Sequence, residues 1–292
     1  DYWTLLELYL DACFYPLLRR ESFESEAVRI ENGNYQGVVY NEMCGAMAQS
    51  ARVMRDLVGR ALFPGSSYAF NSGGDPAALV QLRLEDLQKY HTSHYTPQNA
   101  CFYSSGDLEI GLLLERLDAV LKEVSAENTS QAGVPRVTTL LAPLPRLEQA
   151  HPGDPQVLLA WATSPGADSL EHFALTALAF ALLGHPGAPL HQALSELGPS
   201  LADYSGFHSE TAEGVFAVGV RGNTDFEGLE ATVREVLEAG IDDSLIEATL
   251  TRFELEDRDL SHGAAPYGVK RMFSALSAYH HGADPCALAR LE

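Results

Sequence analysis

Basic residues are scarce in this 292-residue chain: 19 Lys and Arg stand against 40 Asp and Glu, a formal charge of −21 at pH 7. Nucleic acid and anionic lipid surfaces are gripped by clustered Lys and Arg, so the deficit argues against both as partners. It favours cationic partners instead, basic peptides among them. Cysteine is rare too, and Cys13, Cys44, Cys101 and Cys286 form no Cys-x-x-Cys pair. A reduced cytosolic chain is the simplest reading, while any disulfide depends on geometry that spacing does not supply. Long apolar runs are missing. The longest, Phe173 to Leu183, is too short to span a bilayer and reads as a buried helix. No secretory leader is visible either: the chain opens on Asp1 and runs at once into an amphipathic stretch, which predicts a piece of a longer polypeptide with any targeting segment upstream.

What is present suffices for folding. A hydrophobic content of 46% offsets the entropy of ordering and excludes a disordered chain, and the length fits two domains better than one. Leu5, Leu6, Tyr9, Leu10, Cys13 and Phe14 recur at helical spacing, predicting a helix from Asp1, as N-cap, to Phe14, with Pro16 as its stop. A polar connection with a turn at Gly33 and Asn34 precedes a long helix from Val38 to about Leu62, ended by Phe63-Pro64-Gly65. Further helices are predicted over 84–94 and 108–124, with a short buried strand over 100–106 between them. Five prolines between Ser125 and Pro155 mark an extended linker. Beyond it come a strand over 157–161, helices over 170–183 and 190–197, strands over 204–208 and 214–221, and helices over 226–239, 243–260 and 267–280. Apolar residues on both sides of the 214–221 strand predict a sheet covered on both faces.

Helices packed on a sheet, met twice, give an α+β fold of two related units, each an antiparallel sheet with helices. The expected boundaries are 1–125 for the first unit, 126–155 for the linker and 156–292 for the second. The first unit lacks the strands its helices need, as if incomplete at its N-terminus; uncovered apolar faces of that kind predict self-association.

Glu42 is the most informative polar residue. Its helical neighbours are Val38, Val39 and Ala46, with Val53 further along the same side. A carboxylate on the rim of an apolar stripe needs a cation, a metal or several donors. On residue types alone, a guanidinium from Arg29 or Arg52 is the simplest partner. Other candidates read as structural. His91 and His94 could share a face as metal ligands, but their place at a helix end favours packing and capping. His280 and His281 suit a helix C-terminus. Ser104-Ser105-Gly106 is not a Gly-x-Ser-x-Gly nucleophile turn, Ser72-Gly73-Gly74-Asp75 lacks the Lys-Ser/Thr of a phosphate loop, and the acids from Glu254 to Asp259 read as a solvated helix face.

The run Gly37-Val38-Val39-Tyr40-Asn41-Glu42-Met43, then Gly45-Ala46, Leu62-Phe63-Pro64 and Ser72-Gly73-Gly74-Asp75-Pro76, resembles the presequence-protease branch of the pitrilysin/insulinase zinc metallopeptidases. His94-Tyr95-Thr96-Pro97-Gln98-Asn99-Ala100 is similar to a run in that branch, as are the opening helix through Phe14-Tyr15-Pro16 and the later Leu182-Leu183-Gly184, Pro266-Tyr267-Gly268 and His281-Gly282-Ala283-Asp284-Pro285. The likeness implies a Zn²⁺ peptidase acting on unstructured peptides in a closed chamber, in which an inverted His-x-x-Glu-His motif supplies two ligands and the base, and a Glu on a later helix, here Glu42, supplies the third ligand. No His-x-x-Glu-His occurs in this sequence; in the family it lies upstream, so the chain alone is expected to be inactive and metal-free. Cys44 stands where the branch usually carries a basic residue, and is expected to be buried as a small hydrophobe. Two other functions stand beside the enzyme: a non-catalytic homologue that binds peptides or acts as a scaffold, and an unrelated acidic interaction module.

Overall fold

The computed structural model describes residues 2–124, 146–165, 169–209, 211, 213–258, 266–282 and 284–286. They form two compact units: residues 1–46 with 71–133, and residues 47–70 with 134–292. Residues 47–70 thus group with the second unit, whereas the composition had placed everything up to 125 in the first. Most of the linker expected at 126–155 lies outside the described residues.

The first unit is mainly helical. Helix α1 (Tyr2–Phe14) packs Leu10 against Leu113 and Leu117, with Trp3, Leu6 and Phe14 around them. A helix that the sequence did not suggest, α2 (Arg20–Glu26), seats Phe23 beside Leu84. It leads into a hairpin of β1 (Arg29–Glu31) and β2 (Asn34–Gln36), paired Ile30 to Tyr35. The turn is Asn32-Gly33, one position earlier than expected. Both residues have positive φ (51° and 79°), the twist that a two-residue turn needs between right-twisted strands, and Asn-Gly meets it at least cost. Helix α3 (Val38–Met47) follows.

The long helix expected from Val38 to Leu62 is instead two helices. Gln49 is extended (φ −92°, ψ 124°) and starts α4 (Ser50–Leu62) in the second unit. Tertiary packing explains the break, because α4 turns Val53 and Val58 inward and puts Ser50 on a carboxylate of the second unit. Back in the first unit, α5 (Pro76–Leu79) is capped by Asp75, and α6 (Leu84–His94) and α7 (Ile110–Leu121) complete the helices. The strand expected at 100–106 does not form: residues 101–105 are exposed and unpaired in any sheet. A lone apolar run becomes a strand only when a neighbour supplies the ladder, and the one sheet described in this unit is the hairpin.

The second unit is built on a four-stranded antiparallel sheet. Strand β3 (Gln156–Pro165) pairs along one side of β6 (Glu213–Arg221), and β4 (Ser200–Leu201) and β5 (Gly206–His208) pair along the other. The register places Leu159 opposite Val218 and Ala160 opposite Ala217, so alternation sorts the side chains by face. Val157, Leu159, Val218 and Val220 face α8 (Ser169–Leu183), α9 (Pro189–Ser195) and α10 (Phe226–Ala239), meeting Leu182, Leu190, Leu194 and Leu229. Leu158, Ala160, Ala162, Val215 and Ala217 face α4, meeting Val58 and Phe63. Both faces are covered, as the sequence predicted. Gly219 sits opposite Leu158, where a Cβ would collide with the Val157 carbonyl, so glycine is what lets the strands meet. Helices α11 (Asp243–Arg258) and α12 (Tyr267–His280) complete the described fold.

One polar cluster ties this unit together. Asp203 accepts from Ser50 at the start of α4, from Gln156 Nε2 (3.0 Å) in β3 and from Arg221 (2.6 Å) at the end of β6, while its own N–H donates to Gln156 Oε1 (2.7 Å). Burial alone would raise the Asp203 pKa, but the hydrogen bonds from Ser50 and Gln156 and the Arg221 guanidinium outweigh it and hold the carboxyl below its ordinary value.

Candidate functional site

Glu42 lies on the solvent face of α3. That helix turns Met43 inward, with Val39, Tyr40, Ala46 and Met47 half-buried, and leaves Val38, Asn41, Glu42 and Gly45 exposed on one strip. Met43 fixes the rotation: its side chain fills the space beside Gly73, where a Cβ would meet the sulfur at 2.5 Å. The Ser72-Gly73-Gly74-Asp75 loop is therefore a packing device. Asn71 Oδ1 accepts from Gly73 N (3.0 Å) and Asp75 Oδ1 from Ala77 N (2.8 Å).

The simple partners proposed for Glu42 are engaged elsewhere. Arg29 pairs with Glu31 at 3.0 Å and Arg52 with Asp56 at 3.6 Å, and no ion pair involves Glu42 among the described residues. The apolar stripe also differs from expectation. Val38 is 55% exposed, and Val53 belongs to α4 in the other unit, so Glu42 borders an uncovered apolar face. Cys44, expected to be buried, is exposed, as are the other three free thiols. It lies one turn from Tyr40, whose phenol is held above its ordinary pKa by a hydrogen bond with the Cys44 thiol.

The histidines are occupied with the backbone and with rings. His91 Nε2 donates to the Cys13 carbonyl (2.8 Å) and stacks on Tyr95; His94 Nδ1 donates to the Tyr90 carbonyl (3.0 Å) and stacks on Tyr90. His281, at the end of α12, is bonded to the Tyr68 hydroxyl at 2.7 Å. Ser104 and Ser105 are exposed coil. On α11, Glu254 and Glu256 pair with Arg258 and Arg252 on the solvent side. The Asp203 cluster went unread in the sequence because its members are 47 to 153 residues from Asp203 or, for Arg221, across a strand pair.

Zinc takes three or four donors on one centre. Glu42 is one, and among the described residues no group of three His, Cys, Asp or Glu gathers anywhere. These residues by themselves do not make a zinc site. No described helix is long and apolar enough to cross a membrane.

Comparisons with known proteins place this arrangement. The mitochondrial presequence protease of Mus musculus is 29% identical over 316 aligned positions, which cover 100% of this chain and 30% of that protein. That of Schizosaccharomyces pombe is 30% identical, covering 98% and 31%. The chain thus spans less than a third of the length of these curated relatives. Among solved structures, a peptidase M16 inactive domain from Pseudomonas fluorescens superposes with a TM-score of 0.65 at 17% identity, over 99% of this chain and 66% of that one. A protease from Helicobacter pylori gives 0.59 at 16% identity, over 83% and 61%. At such identities the likeness shows the fold, mixed helix and antiparallel sheet. The family model described as the peptidase M16 inactive domain matches residues 81–252, more than half of the sequence, and the chain belongs to the peptidase M16 family.

Proposed function

We infer that this chain is part of a zinc-dependent endopeptidase of the M16 family, and that Glu42 is its contribution to a metal site whose other ligands lie outside these 292 residues. The observation that carries the reading is the state of Glu42: exposed, without an ion pair among the described residues, and set in a strip of small or apolar side chains, Val38, Asn41 and Gly45. A carboxylate meant only for structure would have taken Arg29 or Arg52. Gly45 has no atom within 4 Å of where a Cβ would stand, so another helix has room to approach there. The presequence proteases that share this chain's sequence support a peptide substrate. The net charge of −21 supports a basic one, drawn in by long-range attraction. The chain alone, with one donor, is inactive on this reading.

The test is cleavage of an unstructured basic peptide by a polypeptide of the relatives' length. Activity is expected with Glu42 and is expected to vanish in Glu42→Gln with the circular dichroism unchanged. Full activity in the variant would overturn the assignment. A second reading, a non-catalytic homologue that binds peptides without metal, is favoured by the family match itself, which carries the description of an inactive domain over 81–252. It predicts peptide binding without cleavage in that same long polypeptide, whatever stands at position 42.

A further inference from the structure

The sheet of the second unit has an open side. Strand β6 is bonded on both sides, but β3 pairs with β6 alone, and no other described strand bonds its outer side. Natural edge strands are protected by charge, proline, bulges or brevity. Strand β3 runs ten residues without a single charge, and its irregularity and its proline come only at the end, from Ala162 to Pro165. The first seven residues, Gln156 to Ala162, have none of these protections. Trp161, on the same face as Val157 and Leu159, is 43% exposed.

We propose that the outer edge of β3 pairs antiparallel with the same edge of a second copy of this chain, joining the two sheets into one. The strand is self-complementary about Ala160. A two-fold axis there sets Leu159 against Trp161 of the second copy and Leu158 against Ala162. Each pair then stays on its own face, and both apolar layers run on across the seam. The uncharged strand is also where two copies of net charge −21 meet with least repulsion, because the neighbouring surface of α10 carries Glu227, Glu230, Glu235 and Glu238, all exposed. The outer face of α1 is apolar too, but Glu7 and Asp11 interrupt it and nothing in the structure indicates what covers it.

Sedimentation equilibrium of the 292-residue chain tests this. The expected mass is twice the 31.7 kDa of one chain, with tighter association as added salt screens the like charges. Trp161→Lys is expected to return the mass to one chain with the circular dichroism retained, and Leu5→Glu on α1 to leave the dimer intact. Should Trp161→Lys fail to fold, a peptide spanning residues 156–165 replaces it: added in excess to the unaltered chain, it is expected to convert the dimer into a one-to-one complex with the peptide. A monomer at every concentration would overturn the proposal, as would a dimer indifferent to both Trp161→Lys and the peptide. So would an unrelated basic extended peptide that displaces the second copy equally well, since the edge would then belong to a peptide ligand.

Discussion

In the second unit α8 leaves Ala181 and Leu182 at 0 and 1% exposure, whereas α1 in the first unit exposes Leu8 to 61% and Tyr9 to 69%. Both helices are rich in apolar residues. What separates them is a sheet: α8, α9 and α10 lie on β3 and β6, while α1 has α7 against one side and no sheet against the other. The sheet side chains of the second unit, Val215, Ala217, Val218 and Val220, are all at 1% exposure or less, and the best-buried residues of the first, Leu10 and Met43, stay at 5%. An amphipathic pattern thus records which face is meant for burial, but the burial itself depends on the partner.

The largest effect that would sharpen this contrast comes from truncating one leucine in each unit. Leu182→Ala should cost about 3 kcal/mol in urea denaturation, by lost transfer energy and a residual cavity. Leu8→Ala should stay within about 0.5 kcal/mol. Equal losses would break the comparison, because they would mean that the outer face of α1 is already covered. Next comes the carboxylate cluster that has no counterpart in the first unit. Asp203→Asn should cost about 2 kcal/mol at neutral pH by weakening charge-assisted hydrogen bonds from three elements. The folded pKa of Asp203 is depressed from the model value of 3.8, so its stabilisation is full above that value and is lost as pH falls through the folded one. The gap between wild type and Asp203→Asn, followed by denaturation at stepped pH, should therefore hold from neutrality down and close in acid below about pH 4; a gap that widens in acid would contradict it.

Smaller effects belong to the first unit. Gly33→Ala forces a Cβ into φ 79° and should cost about 1 kcal/mol, seen as faster amide exchange confined to the β1–β2 hairpin. Glu42→Gln should change the stability of this chain by less than about 0.5 kcal/mol, since an exposed carboxylate without an ion pair gives little up. A loss well above that in the same denaturation experiment would reveal a structural partner and bring the two units closer in character.

The second unit was legible in the sequence almost element by element, because each of its helices and strands finds the partner that its pattern calls for. The alternation in Val215 to Val220 foretold two covered faces, and both are covered. Elements that depend on distant partners read less well. The apolar run at 100–106 looks like a strand locally but finds no ladder. The helix through residue 49 looks continuous but is divided, because Ser50 and Val53 answer to the sheet and to Asp203, far away in sequence. Glu42 was picked out as a carboxylate on an apolar rim. Its actual surroundings, an uncovered strip with the nearby arginines already paired, followed only from coordinates, since sequence does not say which guanidinium chooses which acid.

The most direct test of the functional account is the zinc content of a polypeptide of the relatives' length, measured by atomic emission on purified protein with Glu42 and with Glu42→Gln, under conditions where circular dichroism shows both folded. The account predicts one zinc per chain in the first and a loss of most of it in the second. Equal zinc in the two would contradict it.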